Sequence, residues 1–229
     1  MLINDRNIKL WSSIGPRATL GLAINELSQS DDDLVVLTSD VSTSAGLDRF
    51  KKTYPEKYFD VGIAEQNLIG IAAGFSSENF NVITTTFAPF QVMRCCEQIK
   101  VNLGYMQHKI TMIGIASGLV LGNLGYTHCC IEDVGVLRSI PNLTIISPAD
   151  SLEVVKVLQA VLKSKNSSVY IRLTGGTNNP IVYEKDYDLE IGKSIELTNG
   201  DDITIFCCGT MVHNSIEESK KLKNEKINV

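Results

Sequence analysis

The sequence predicts an α/β fold, a mostly parallel sheet flanked by helices. Short apolar, β-branched runs at 34–38, 82–87, 109–116 and 169–173 alternate with segments of helical periodicity. The run at 34–38 is continuously apolar up to Thr38 rather than alternating, as in a strand covered on both faces. Polar or glycine-rich loops follow the strand ends, Ser39-Asp40 after the first and residues 118–125 after the third. Parallel strands deliver such loops to a site.

Each element has its own signal. Residues 17–27 place Leu20, Ala23, Ile24 and Leu27 on one helical face, and Asp31-Asp32-Asp33 breaks the chain before the strand at 34–38. A short strand at 58–61 leads through Gly62 into a helix that starts near Glu65. After the strand at 82–87, Pro89 precedes a helix from about 90 to 103. The strand at 109–116 ends in the glycine-rich loop, and residues 131–140 are helical. A strand at 143–146 follows, and Pro148 and Asp150 open a helix over 151–163. Residues 169–173 form the last strand of this block, and 175–180 is loop. Beyond lie a candidate strand at 203–207 and a helix at 211–224. The expected division is a first domain over 1–180, then a linker and an incomplete C-terminal α/β unit over 181–229. A lone βα unit cannot bury a core. It must pack on the first domain or on a partner, or the sequence is a piece of a longer one.

Composition narrows the function classes. The 229 residues are 44% hydrophobic and 21% charged, enough to bury a core. A net charge of -5 argues against nucleic acid and anionic membrane surfaces. No apolar run spans a bilayer, and no apolar core follows the charges of residues 1–6 as in a signal peptide. The six cysteines form three adjacent pairs, 95–96, 129–130 and 207–208, without the CxxC spacing of zinc sites. Free thiols in a cytoplasmic protein are expected, with Cys207 and Cys208 as small core residues of a strand.

The chain is organised around residues 59–74. Glu65 sits in the first turn of a helix whose other residues, Ile63, Ala64, Leu68, Ile69, Ile71, Ala72 and Ala73, leave little solvated side. A helix N-terminus favours a carboxylate. One placed among so many apolar neighbours is expected to be buried, to have a raised pKa and to need a partner. Two further features carry chemistry. Phe87 and Phe90 leave a strand three residues apart, and Gly125-Tyr126-Thr127-His128 closes the glycine-rich loop with an imidazole suited to proton traffic near neutral pH.

The run Val61-Gly62-Ile63-Ala64-Glu65-Gln66-Asn67, followed by Gly70-Ile71-Ala72-Ala73-Gly74, resembles the pyrimidine-binding domain of transketolases. The resemblance extends from about Arg17 to about Leu173, above all to the C-terminal subunit of split, two-gene transketolases. It implies that Glu65 hydrogen-bonds the aminopyrimidine ring of thiamine diphosphate, where an acid favours the imino tautomer of the ring. It implies that Phe90 stacks on that ring, with Phe87 and Met93 in the pocket wall and Asp40 near the cofactor and dimer contact. His128 matches the family histidine that contacts the donor carbonyl, and Ser44 and Arg172 lie where a sugar-phosphate acceptor binds. His108 and His213 match nothing and are expected to be exposed.

The departures fall at the sugar end. A family Asp that reads a donor hydroxyl is Leu124 here, a family His is Ala116, and a family Arg of the first helix appears as Leu20. No metal site is readable. The family holds Mg2+ and diphosphate in a separate N-terminal domain, and Asn199-Gly200-Asp201-Asp202 reads as a surface turn. The resemblance therefore implies a diphosphate-binding partner subunit in an α2β2 assembly and transfer of a two-carbon ketol unit between sugars. Deoxyxylulose-phosphate synthase, the beta subunit of 2-oxoacid dehydrogenases and a catalytically dead scaffold paralogue share the domain and stay open as alternatives.

Overall fold

A computed structural model describes residues 1–164 and 167–229. Helix α1 (Asp5–Leu27) starts at an Asn4 cap, whose side chain accepts the Asn7 amide at 2.9 Å. The helix thus begins twelve residues before the periodic stretch. It is bent at Gly15-Pro16, where Gly15 has a left-handed φ of 83° and Pro16 lacks an amide. The carbonyls left free at this break accept amides from the loop after the last strand, Asn178 to Ser13 at 3.0 Å and Asn179 to Ser12 at 2.9 Å.

The strands are β1 (Leu34–Thr38), β2 (Tyr58–Asp60), β3 (Asn81–Phe87), β4 (Ile110–Ile115), β5 (Leu143–Ile146) and β6 (Ser168–Arg172). They form one sheet in the order β2-β1-β3-β4-β6-β5, and every pairing is parallel. Alternate residues feed two cores. Leu34, Val36, Ile113, Ile115, Val169 and Ile171 pack under α1, α2 (Asp48–Thr53) and α7 (Ser151–Ser164). Val35, Leu37, Met112 and Tyr170 pack under α3 (Glu65–Ser77), α4 (Ala88–Val92), α5 (Cys96–Ile99) and α6 (Asp133–Leu137). Because all six strands run the same way, their C-terminal ends share one edge. The chain leaves β1 for β2 on one side and then returns to β3 on the other, so the crevice of this sheet lies between the ends of β1 and β3.

Several expectations need correction. The helix expected over 90–103 is interrupted at residues 93–95 and continues through α5 into a π-helical turn, Lys100–Tyr105. The Phe90 carbonyl accepts the Cys95 thiol at 3.3 Å and the Arg94 carbonyl accepts Gln66 Nε2 at 3.1 Å, a non-helical pairing that fits the break. Helix α3 is buried on one face only: Gln66, Asn67, Gly70 and Gly74 are exposed, and Ile63 just before it is 77% exposed. Residues 203–207 form no strand, because no neighbouring strand offers them a ladder; Ile203, Ile205 and Phe206 are exposed. Cys207 and Cys208 are accordingly exposed, not core. His108 and His213 are half-buried rather than exposed. Helix α8 (Met211–Asn224) forms as expected, tied to the end of β5 through the Gly209 amide and the Ser147 carbonyl at 2.9 Å. Among the described residues no helix is long and apolar enough to cross a membrane.

Asp150 caps α7 by accepting the Glu153 amide at 2.8 Å and holds the following segment through the amides of Val182 and Tyr183 at 2.8 and 2.9 Å. Glu153 reaches back to the Ala149 amide at 2.5 Å. Burial raises the Glu153 pKa to about 7, the Ala149 amide opposes the rise and the neighbouring Asp150 adds to it.

Two predictions rest on this packing. A Cβ on Gly15 would lie 2.4 Å from the Gly176 carbonyl oxygen and require a left-handed backbone. Gly15→Ala should therefore cost about 2–4 kcal/mol, read from urea unfolding midpoints. The second concerns pH. Glu153 keeps its proton in the folded chain where the unfolded chain has lost it, so its contribution is fully present below about pH 4.5 and is lost as pH rises through about 7. Asp150 is shifted upward too, chiefly by burial. Glu153→Gln should flatten the fall in unfolding free energy between those limits, leaving only the smaller slope from Asp150. An unchanged slope would show that Glu153 does not titrate in this way.

Candidate functional site

The loop that delivers Glu65 is built by the ends of β1 and β2. Asp60 Oδ1 accepts the amides of Asp40 at 2.9 Å and Gly62 at 3.0 Å. Burial opposes the Asp60 charge, but these amides outweigh it and hold the carboxyl below its ordinary pKa. Ser39 Oγ donates to the Gly62 carbonyl at 2.5 Å and accepts the Ala64 amide at 3.1 Å. Gly62 can make this turn because its φ is 71°. The chain is thereby aimed so that α3 opens with Glu65 facing inward, only 3% exposed.

Phe87 ends β3 and Phe90 sits in the short helix after it. Their rings meet edge to face at 6.1 Å. The His128 ring stands edge-on to both, 5.3 Å from Phe90 and 6.1 Å from Phe87. His128 Nδ1 lies 3.1 Å from the Thr127 hydroxyl. Arg94 completes the cluster. Its Nη1 donates to Glu65 Oε2 at 2.6 Å, and its guanidinium carbon lies 4.4 Å from the centre of the Phe90 ring. Glu65 thus has the burial and the partner that its surroundings called for. Beside it, burial first and the Glu65 charge second push the Cys95 thiol up to about 12, which leaves it inert.

The other sequence-selected residues lie further out on the same edge. Asp40 is exposed in a left-handed turn with φ 56°, Met93 is 48% exposed at the end of α4, and Ser44 is half-buried in the loop before α2. Ala116 follows β4 with φ 55°. The loop after it is pinched at its neck, where Gly118 and Cys130 exchange backbone hydrogen bonds at 2.8 and 2.9 Å. Its tip projects Leu124, 52% exposed, and Tyr126, 84% exposed. Arg172 is already engaged: its Nε donates to Asp133 Oδ2 at 2.7 Å, and Asp133 is fully buried. Leu20 does not belong to the site. It is wholly buried between α1 and the sheet, so that position never offered a cation to solvent. Arg17, three residues earlier, is exposed, and its backbone packs on Gly46 beside the Ser44 loop.

Sequence reasoning missed Arg94, Asp133 and the Ser39–Asp60 brace. The spacing of Phe90 and Arg94, four residues apart, was a signal for the first; the other two depend on contacts between distant elements. A concavity of about 900 Å³ lies elsewhere, between β5, Glu153 and residues 189–208. The chemistry-bearing cluster sits instead on the open edge at the strand ends.

A family model described as "Transketolase, pyrimidine binding domain" matches residues 12–178. The chain is 34% identical over 203 residues to a subunit of the apulose-4-phosphate transketolase of Phocaeicola vulgatus, covering 88% of this chain and 64% of that one. It is 32% identical over 202 residues to the 6-deoxy-6-sulfo-D-fructose transketolase subunit SqwH of a Clostridium species, covering 88% and 62%. The chain therefore spans less than two thirds of the length of these curated relatives. Among solved structures, one described as "Split gene transketolase, inactive beta4 tetramer" superposes with a TM-score of 0.85 at 34% identity, covering 94% of this chain and 70% of that one. Sequence and fold agree across the segment that carries Glu65, Phe90 and His128, and the chain belongs to the transketolase family through its pyrimidine-binding domain.

Proposed function

We propose that this chain is the pyrimidine-binding subunit of a split transketolase-like enzyme that depends on thiamine diphosphate and moves a two-carbon ketol unit from a ketose to an aldehyde. The observation that carries the reading is the buried Glu65 carboxylate joined through Arg94 to the Phe90 ring, near the strand ends at the crevice between β1 and β3. These residues fit an aminopyrimidine: a carboxyl group for a ring nitrogen, a flat aromatic face for the ring, and Phe87 and His128 closing the wall. Glu65 would bond the ring nitrogen, and Phe90 would fix the ring plane. His128 would move a proton at the donor carbonyl oxygen. When bound, the cofactor supplies the electron sink for cleaving and forming the carbon–carbon bond. We assign Mg2+ and diphosphate to a partner subunit, in an α2β2 assembly. We divide the chain at about residue 180. All six cysteines are free, which supports a cytoplasmic setting.

Assembly with a diphosphate-binding partner tests this reading. This chain alone should show flat calorimetric titrations with thiamine diphosphate and Mg2+, and binding should appear once the partner is added. In the assembly, Glu65→Gln should slow hydrogen–deuterium exchange at cofactor C2 by more than about a hundredfold, since amide cannot supply the proton. Exchange at the wild-type rate would remove Glu65 from the mechanism.

The substrate should be a modified sugar. Leu124 and Ala116 replace polar readers of the family, and two of the relatives are named for apulose 4-phosphate and 6-deoxy-6-sulfo-D-fructose. Each lost hydrogen bond to a substrate hydroxyl is worth about tenfold or more in discrimination. Turnover of xylulose 5-phosphate with ribose 5-phosphate should therefore be at least about tenfold below that of a deoxy or otherwise less polar ketose. Equal rates in a panel assay would overturn the inference from Leu124 and Ala116.

A further inference from the structure

Arg94 holds the two features that would recognise an aromatic heterocycle. Its guanidinium is bonded to the buried carboxylate of Glu65 at 2.6 Å and lies over the Phe90 ring at 4.4 Å from its centre. A guanidinium is planar, charged and rich in donors, so it satisfies a carboxylate and a ring face together. A cofactor ring needs that same carboxylate and that same face, and both cannot be held at once.

The side chain is also built to leave. It is 44% exposed, whereas that of Glu65 is 4% exposed. Among the described residues Glu65 is its single salt-bridge and side-chain hydrogen-bond partner. Its backbone is fixed instead, because the Arg94 carbonyl accepts Gln66 Nε2 from the first turn of α3 and Cys95 is fastened to the Phe90 carbonyl. A pinned main chain with a solvent-facing, long side chain can swing its head outward without disturbing the wall. The other arginine of this edge contrasts with it: Arg172 is 20% exposed, and its Asp133 partner also accepts the Tyr170 hydroxyl at 3.1 Å.

We propose that Arg94 is a gating residue of the ring site: it occupies the place of the aminopyrimidine on Glu65 and Phe90 and must withdraw when the cofactor enters. The proposal rests on the reading of Glu65 and Phe90 given above. It makes cofactor uptake a displacement, in which the ring replaces an ion pair and a cation–π contact already formed. The half-exposed pair and the stacked cation together set a penalty of about fivefold to thirtyfold in affinity.

The test uses the chain assembled with its diphosphate-binding partner. Thiamine diphosphate with Mg2+ is titrated by calorimetry into wild type and into Arg94→Ala, Arg94→Gln and Arg94→Lys. Arg94→Ala and Arg94→Gln should bind about fivefold to thirtyfold more tightly. Arg94→Lys keeps the charge but cannot lie flat on the ring, and should fall between them and wild type. Without cofactor, Arg94→Ala should melt below wild type, because Glu65 loses its partner, and saturating cofactor should close that gap. The conservative lysine variant keeps the test decisive if the alanine variant does not assemble. Equal or weaker binding in all three variants would overturn the gate. Glu65→Gln, titrated in parallel, separates the two claims. Weakened binding there with unchanged binding in the Arg94 variants rejects the gate alone. A wild-type assembly that takes up no cofactor rejects the functional reading and the gate with it.

Discussion

Strand β1 pairs parallel with β2 on one side and with β3 on the other, so that Thr38 stands opposite both Asp60 and Thr85. β1 and β2 end together at this level while β3 runs on to Phe87, and the reversal of direction around β1 opens a crevice there. The short loops that follow are then held by their own polar groups. Asp60 accepts two amides, and Ser39 bridges a carbonyl and an amide of the turn before α3. A carboxylate that cannot be solvated is thereby fixed opposite the aromatic pair leaving β3. If this pairing shifted by one residue, Leu37 and Val35 would exchange cores with Val36 and Leu34, and both helical layers would lose their packing.

Two buried carboxylates on this edge each meet one arginine, yet the pairs are different in kind. Asp133 is fully buried and is bonded to Arg172, to Tyr170 and to the amide of Val134. Tyr170 and Arg172 are two residues apart on β6 and so point to the same face, which is why one carboxylate can hold both. Breaking such a pair from one side costs about 3–5 kcal/mol, and this pair is structural. Arg172 thus has its Nε already committed. Glu65 is as deeply placed, but its one salt-bridge partner among the described residues is half in solvent, and exposed ion pairs are weak. The same chemistry is permanent in one place and exchangeable in the other because the number of partners and the exposure differ.

Most strands were legible in the sequence because parallel strands buried on both faces need continuous apolar runs, and such runs stand out. The segment at 203–207 has the same texture but no ladder partner, and a β-branched run without one is no strand. Leu20 was misread for a related reason. It was given both a place on the apolar face with Ala23 and Ile24 and a match to a basic family position, and the core packing of α1 bears out the spacing. Glu65 was legible because an acid in an apolar helix start is anomalous. Arg94 had only its four-residue spacing from Phe90, since an arginine near a helix end is ordinary until the fold brings Glu65, 29 residues away in the chain, within hydrogen-bond reach. Asp60 and Asp133 likewise act across distant elements that no local pattern displays.

The ring end and the sugar end of the edge are unequally finished. Glu65, Phe87, Phe90, Arg94 and His128 form one cluster of contacts, and the elements that carry them follow β2, β3 and β4. Ser44, Ala116 and Leu124 come from separate loops, and Leu124 and Tyr126 project from a loop closed only at its neck. A rigid cluster fixes the orientation of whatever binds it, whereas exposed loop tips take their final arrangement from what docks on them. Under the proposed function, orientation of an aromatic ring would rest on this cluster, and discrimination among sugars on how the loop tips are completed. That division suits a fold that keeps one ring site while its relatives act on sugars as different as those their names record.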